Sequence, residues 1–271
     1  MTRVAHRPSG FTLIELAMVL FIVSLLIGGL LMPLTAQNEI QGRQETVKAL
    51  ATIREALIGF AVVNGRLPCP APAALAALTT GAGLEATTAA AGTTNTTGPC
   101  GCTAATSGIA SAGGTACDDT TPGGVTGVLP WATLGLPETD AWGSRYTYRV
   151  TTRFGRLASG QTNFGACTPT ANPTAAAFAL CSAGDMSVLT ATAGTAIASS
   201  VPAIVVSHGK NTLGAYLPSG TQIAGVTAGS DEAENANGDP VFVSSGSIDD
   251  QVTWIPSSIL MGRMLAAGKL P

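Results

Sequence analysis

The chain of 271 residues is 46% hydrophobic but only 11% charged, with thirteen basic residues against sixteen acidic ones and a formal net charge of −3. That balance excludes a nucleic-acid protein driven by bulk positive charge, and a mean hydropathy of +0.36 excludes disorder throughout. Six cysteines, an even number, suit an exported chain better than a cytosolic one.

Residues 1–10 form a short polar leader with Arg3 and Arg7 and no acid. Phe11 to Leu34 is an apolar run whose only charge is Glu15. As a helix it spans roughly 36 Å, enough to cross a hydrocarbon core of about 30 Å. The basic leader holds its own end in the cytoplasm and sends the remainder across the membrane. An ordinary secretory signal wants a small-residue cleavage site after the run, which Met32-Pro33-Leu34-Thr35 does not supply. Glu15 is costly in a lipid-facing helix and no Lys or Arg lies within the run to pair with it. A cut between Gly10 and Phe11 would create an α-amine at Phe11, whose positive charge can neutralise Glu15 in the same or a neighbouring subunit.

From Thr35 to Asn64 the pattern turns amphipathic. Ile40, Val47, Leu50, Ile53, Leu57, Ile58 and Ala61 recur at helical spacings, while Glu39, Arg43, Lys48, Arg54 and Glu55 occupy other faces. Asn64-Gly65 ends the helix and Pro68 and Pro70 bar its continuation. One helix of roughly 53 residues from Phe11 is predicted, its second half (35–64) packed on a head.

The stretch 65–130 reads as a loop region, Ala/Thr/Gly-rich over 71–127, which cannot bury much surface. Cys69 marks its start and Cys100, Cys102 and Cys117 lie inside it; Cys100-Gly101-Cys102 has neither redox nor zinc-ribbon spacing. Disulfide staples are the expected use of these four and of Cys167 and Cys181, a pairing expected across a short loop. The β-rich head, 131–271, has strand patterns at Ser144–Val150, Val201–Ser207, Val241–Ser244 and Gln251–Ile255, and a terminal helix over Ser257–Ala267 with Leu260 and Met264 inward and Ser257 as cap. A long helix followed by an antiparallel sheet is α+β.

Gly10-Phe11-Thr12-Leu13-Ile14-Glu15-Leu16, behind a basic leader, resembles the processing signal of the type IV pilin and type II secretion pseudopilin family. The resemblance implies a pilin-like fold, with the long N-terminal helix packed on an antiparallel β-sheet head carrying a loop-rich insertion. It implies that a prepilin peptidase cuts after Gly10 and N-methylates Phe11, and that Glu15 helps dock an incoming subunit. Other pilin or pseudopilin subunits and an inner-membrane assembly platform are the implied partners. Bacterial inner membrane, with the head periplasmic, and then a pilus or pseudopilus filament are the implied locations. The length of the chain favours a minor or tip subunit. One departure is Pro33, one residue later than in most such stems and preceded by Gly28-Gly29, which predicts a kink or local melting near 28–33. Asp140-Ala-Trp142-Gly143 with the strand behind it, and Ser207-His208-Gly209-Lys210-Asn211, resemble head segments of the major pseudopilin branch.

Asp231, Glu232, Glu234 and Asp239, with Asp249 and Asp250 downstream, offer hard oxygen ligands that suit a calcium ion, though without EF-hand spacing. The resemblance implies calcium in a comparable loop; a solvated acidic loop is the plain alternative. No catalytic set is expected: there is no G-x-S-x-G elbow around Ser207-His208, and Gly209-Lys210-Asn211 lacks the rest of a P-loop. Arg145, Arg149, Arg153 and Arg156 read as a solvated face, with contact to nucleic acid or an acidic neighbour as the alternative. The expected function is a non-enzymatic structural subunit of a type IV pilus or type II secretion filament. The competing class is a membrane-anchored exported binding module, an adhesin or a DNA or ligand receptor, that does not polymerise.

Overall fold

Leu13 to Asn64 form one helix, α1, of 52 residues, close to the length that periodicity predicts. The computed structural model describes residues 10–86, 110–111, 124–155, 164, 167–169 and 171–271, with backbone alone at 27–36, 110–111 and 125. The chain divides into two units, the first ending at Gly42 and the second running from Arg43 to Pro271. Helix assignment continues through Gly28, Gly29 and Pro33, so the expected local melting is absent from the backbone.

From Leu13 to Leu26 the side chains of α1 are exposed on every face: Leu13 is 87%, Phe21 67% and Leu26 58% accessible. Among the described residues no helix is long and apolar enough to cross a membrane. The side chains of 27–34, which complete the apolar run, lie outside the described ones.

In the second unit α1 buries one stripe. Leu50, Ile53, Leu57, Ile58 and Ala61 are inside, but Val47 at 59% exposure is not, nor is Ile40 of the first unit at 57%; the apolar part of the stripe begins at Leu50, later than the periodicity suggests. Gly65 ends the helix with φ +72°, a left-handed turn that glycine adopts without a Cβ clash, and its N–H donates to the Ala61 carbonyl at 2.8 Å.

The central sheet has five strands in the order β1 (Ala110–Ser111), β2 (Gly124–Val128), β3 (Thr147–Thr151), β6 (Ala203–Ser207) and β8 (Gln251–Ile255). All its neighbours are antiparallel, with Tyr148 opposite Val205 and Val205 opposite Thr253. β2 falls within the stretch expected to be loops. Its glycines explain why it has no strand signature: a Cβ on Gly127 would collide with the Ala71 carbonyl, and one on Gly124 with the Arg149 guanidinium.

Alternation along the strands sends one set of residues to each face. Tyr148, Val150, Ala203, Val205 and Ile255 join the α1 stripe and Leu260, Met261 and Met264 of the terminal helix α5 (Ser257–Ala266) in one core. Ile204 and Val206 face the other way, into a second core with Met186, Val188 and Phe242. These last three belong to a smaller sheet, β5 (Ala196–Val201), β4 (Met186–Leu189) and β7 (Val241–Val243), in that order. There β4 and β7 run parallel, so the head is not purely antiparallel. Pro202, which lacks an N–H, separates β5 from β6 where one continuous strand is expected. The remaining helices are short: α2 (Trp131–Leu134), α3 (Thr152–Gly155) and α4 (Asp231–Ala236). Ser257 does not cap α5. The capping position is Pro256, and the Ser257 hydroxyl instead donates to the Ser200 carbonyl at 2.8 Å.

Candidate functional site

The processing segment begins with an exposed Gly10-Phe11. A Cβ on Gly10 would meet nothing within 4 Å, so nothing in the chain's own packing requires glycine there, and any requirement comes from a reader outside the chain. Phe11 is 83% exposed. Thr12 and Glu15 form a reciprocal cap at the start of α1. The Thr12 N–H donates to Glu15 Oε2 at 3.4 Å, and the Glu15 N–H donates to Thr12 Oγ1 at 3.3 Å. This Thr-x-x-Glu box gives the Thr12 N–H an acceptor and adds one for the Glu15 N–H, which also donates to the Thr12 carbonyl at 3.1 Å, a local role for Glu15 that its spacing from Thr12 could have signalled. Glu15 therefore stands at an accessible helix start with its carboxylate held by weak, exposed contacts.

The acidic residues of the head do not come together as one set. Asp231 opens α4 and accepts from the Thr192 N–H and hydroxyl, both at 2.8 Å. Glu232 accepts from Asn211 Nδ2 at 2.6 Å, and Asp249 accepts from the Asn211 N–H at 2.8 Å. Asp239 accepts from the Val241 N–H at 2.8 Å and from Asn237 Nδ2 at 2.9 Å. Glu234 is raised above the usual carboxylate range by desolvation first and by the charges of Asp239 and Asp231 after it. Asp250 is buried, accepts from Asn235 Nδ2 at 2.8 Å, and is pushed up to about 7, chiefly by burial. Among the described residues no three His, Cys, Asp or Glu are grouped so as to hold a metal ion.

Asn235, which sequence reasoning passed over, holds this region together. It is 1% exposed, donates to the Val243 carbonyl at 3.0 Å and accepts from the Val243 N–H at 2.8 Å. The short helix α4 is thus tied to β7 and to Asp250 by one side chain, capped at its start by Ser230, which accepts from the Ala233 N–H at 3.2 Å.

Ser207 and His208 lie at the end of β6, fully buried. The Ser207 hydroxyl donates to Asp140 Oδ2 at 2.6 Å, and Asp140 Oδ1 accepts from the Trp142 and Ser144 N–H groups at 2.9 and 3.0 Å. The D-x-W-G turn is therefore an anchor: its aspartate closes the turn on one side and ties it to β6 on the other. His208 Nε2 pairs with Thr147 Oγ1 at 2.8 Å, while Nδ1 lies 4.0 Å from Asp250 Oδ2. Burial lowers this imidazole to about 4, so it is neutral at pH 7. Ser207 and His208 thus have different partners and do not act on each other as nucleophile and base. Gly209 follows with φ +62°, and a Cβ there would collide with the Asp249 backbone, which explains the glycine in this turn.

Arg145 and Arg149 do not belong to a solvated face. Arg145 is fully buried: its guanidinium pairs with Glu138 at 2.7 Å, donates to the Ala73, Leu75 and Pro218 carbonyls, and stacks 4.6 Å over the Trp131 ring. Arg149 is 1% exposed, pairs with Asp185 at 3.1 Å and donates to Thr126 Oγ1 and the Gly238 carbonyl. Arg153 sits in α3 and donates to the Phe164 carbonyl at 3.3 Å. Arg156 lies outside the described residues. Buried cations that already have partners cannot read a phosphate backbone.

Cys167 and Cys181 are bridged, with Cα atoms 5.4 Å apart. Cys69 is also disulfide-bonded and buried, and Cys100, Cys102 and Cys117 lie outside the described residues.

Residues 6–31 match a family model for the prokaryotic N-terminal methylation motif. No curated protein and no solved structure matches the chain. The matched segment contains Gly10, Phe11, Thr12 and Glu15, the residues whose exposure and capping geometry mark the start of α1. At residues 6–31 the chain carries the prokaryotic N-terminal methylation motif, the prepilin-type signal of type IV pilins and pseudopilins.

Proposed function

We infer that the chain is cut between Gly10 and Phe11, methylated at the new Phe11 amine, and built through the first half of α1 into a type IV pilus or type II secretion filament. The observation that carries this reading is an accessible, all-round apolar helix directly behind the signal. Such a helix is stable only inside a membrane or among other helices. Held first in the inner membrane as a single span and then in a bundle of neighbours, it exchanges one apolar environment for another. The role is mechanical, with the head displayed as a minor or tip subunit. At the helix start, Glu15 can leave its weak contacts with Thr12 for a neighbour's Phe11 amine, a stronger charge-assisted partner.

Intact mass of the protein from membranes of cells with and without prepilin peptidase tests the reading. Peptidase-dependent loss of residues 1–10 with a gain of about one methyl group is expected; an uncut chain in both would sink it. An anchored binding module that never polymerises is separated by Glu15→Gln, which such a module tolerates and a filament built on the charged pair does not. Burial of Arg145 and Arg149 removes the basic face that a DNA receptor would use.

A further inference from the structure

The Cys167–Cys181 bridge spans a sequence separation of 14 and closes a loop that carries core residues. Ala176, Ala177 and Phe178 inside it are buried. The Phe178 ring lies 4.6 Å from Phe154, and the Ala177 N–H donates to the carbonyl of Gly65, the residue that ends α1, at 2.8 Å. The bridge therefore holds a segment that clamps the end of α1 to the head core. Yet the bridge itself is at the surface. Cys181 is exposed and Cys167 half-buried, Leu180 beside them is 47% accessible, and Cys181 lines a cavity of about 410 Å³ with Thr168, Pro169, Ala171, Leu180 and Pro271. Cys69, disulfide-bonded as well, is 2% exposed within the core. Thiol exchange requires a thiolate to touch a sulfur, so access favours attack at Cys181 over attack at Cys69.

We propose that Cys167–Cys181 is an exchange site for small-molecule thiols, attacked at Cys181, and that its opening releases the clamp on α1. A thiolate RS⁻ bonds to Cys181 Sγ; the bond between the two cysteine sulfurs breaks, and its electron pair leaves on Cys167 Sγ, which takes a proton from water. The product is the mixed disulfide of Cys181 with the thiol. A second thiolate then displaces Cys181, so two thiols are oxidised to RSSR and one cystine is reduced to two thiols. The cavity beside Cys181 accommodates the body of the thiol, and the buried Cys69 sulfur is not attacked under the same conditions.

The test treats the full chain, in detergent micelles, with a series of glutathione concentrations, then alkylates and maps the peptides by mass. The expected result is glutathione on Cys181, alkylated Cys167, and at least tenfold less glutathione on Cys69. Glutathione on Cys167, or equal glutathione on Cys69, would overturn the site. The clamp is tested by proteolysis within 168–180. Cleavage at least tenfold faster in the Cys167→Ser/Cys181→Ser variant than in the oxidised parent is expected, and equal protection overturns the release. Should that variant fail to fold, the same comparison on parent protein opened by glutathione and alkylated decides the question.

Discussion

In the first half of α1, Leu13, Ile14, Leu20, Phe21 and Leu26 are exposed around the whole circumference; in the second half Leu50, Ile53, Leu57 and Ile58 are sealed into a core while the opposite face carries Arg43, Lys48, Arg54 and Glu55. Both halves carry large aliphatic residues, but Glu15 is the only charge in the first while charged residues are interspersed through the second. They also differ in what covers them. The second half is amphipathic because the chain supplies its own sheet to cover one face. The first half has no polar face, and no described part of the chain covers it; on the reading proposed above, a membrane or neighbouring helices do. One continuous helix thus carries a folding surface in its second half and, on that reading, an assembly surface in its first.

The largest effects should fall on the first half without disturbing the second. Gly10→Val is expected to leave the chain uncut in cells with prepilin peptidase, seen as retention of residues 1–10 in the intact mass. Head stability is expected to be unchanged, because that position touches nothing. Next come changes confined to the head. Arg149→Ala leaves Asp185 buried without its cation, and about 3–5 kcal/mol of stability should disappear, read from the shift in denaturant midpoint. Leu57→Ala opens a cavity beneath the sheet and should cost about 2–5 kcal/mol, whereas Leu20→Ala, on the exposed half, should leave the head midpoint where it was. If both leucines moved that midpoint alike, the division of labour along α1 would be wrong.

pH sharpens the picture of the head with a smaller effect. Asp250 is raised from an ordinary value of 3.8 to about 7, so its contribution is full below pH 3.8 and is lost as pH rises through 7. His208 is lowered from 6.5 to about 4, so its contribution is present above pH 6.5 and is lost as pH falls through 4. Between pH 4 and 6.5 the two slopes, each about 1.4 kcal/mol per pH unit, oppose one another, and the parent's unfolding free energy should be nearly flat. Asp250→Asn should then leave stability rising with pH across that window, and His208→Gln should leave it falling. Slopes of the same sign in both variants would contradict the assignment. The smallest effect is expected at Arg263→Ala. Its pair with Glu55 spans 3.4 Å with both side chains more than half exposed, which puts the change within about 1 kcal/mol in a denaturant titration.

How much of this was legible in the sequence depends on the range of the interactions involved. α1 and its stop at Gly65 follow from periodicity and one glycine, both local. So do β8 and the inward Leu260 and Met264 of α5. β2 was not legible, because Gly124 and Gly127 are there to admit Arg149 and the Ala71 backbone, neighbours that only the fold brings near. The arginines were misread for the same reason: spacing reports that Arg145 and Arg149 share a strand face, but not that a second layer covers that face. Ser257 looked like a cap and is spent on Ser200 instead. At the processing segment the reading was fuller. The signal is linear, and a linear signal read by an outside enzyme needs no tertiary context.

Arg145 gathers the carbonyls of Ala73, Leu75 and Pro218 on one guanidinium, with Glu138 beside it and Trp131 beneath. Two stretches of chain far apart in sequence therefore share a single set of donors whose geometry is rigid and planar. Lengthening either stretch would strand a buried cation, and a lysine in its place could not reach all of the same acceptors. The 73–75 segment and Pro218 are thus coupled through one side chain, so a change in the backbone of either is felt by the other.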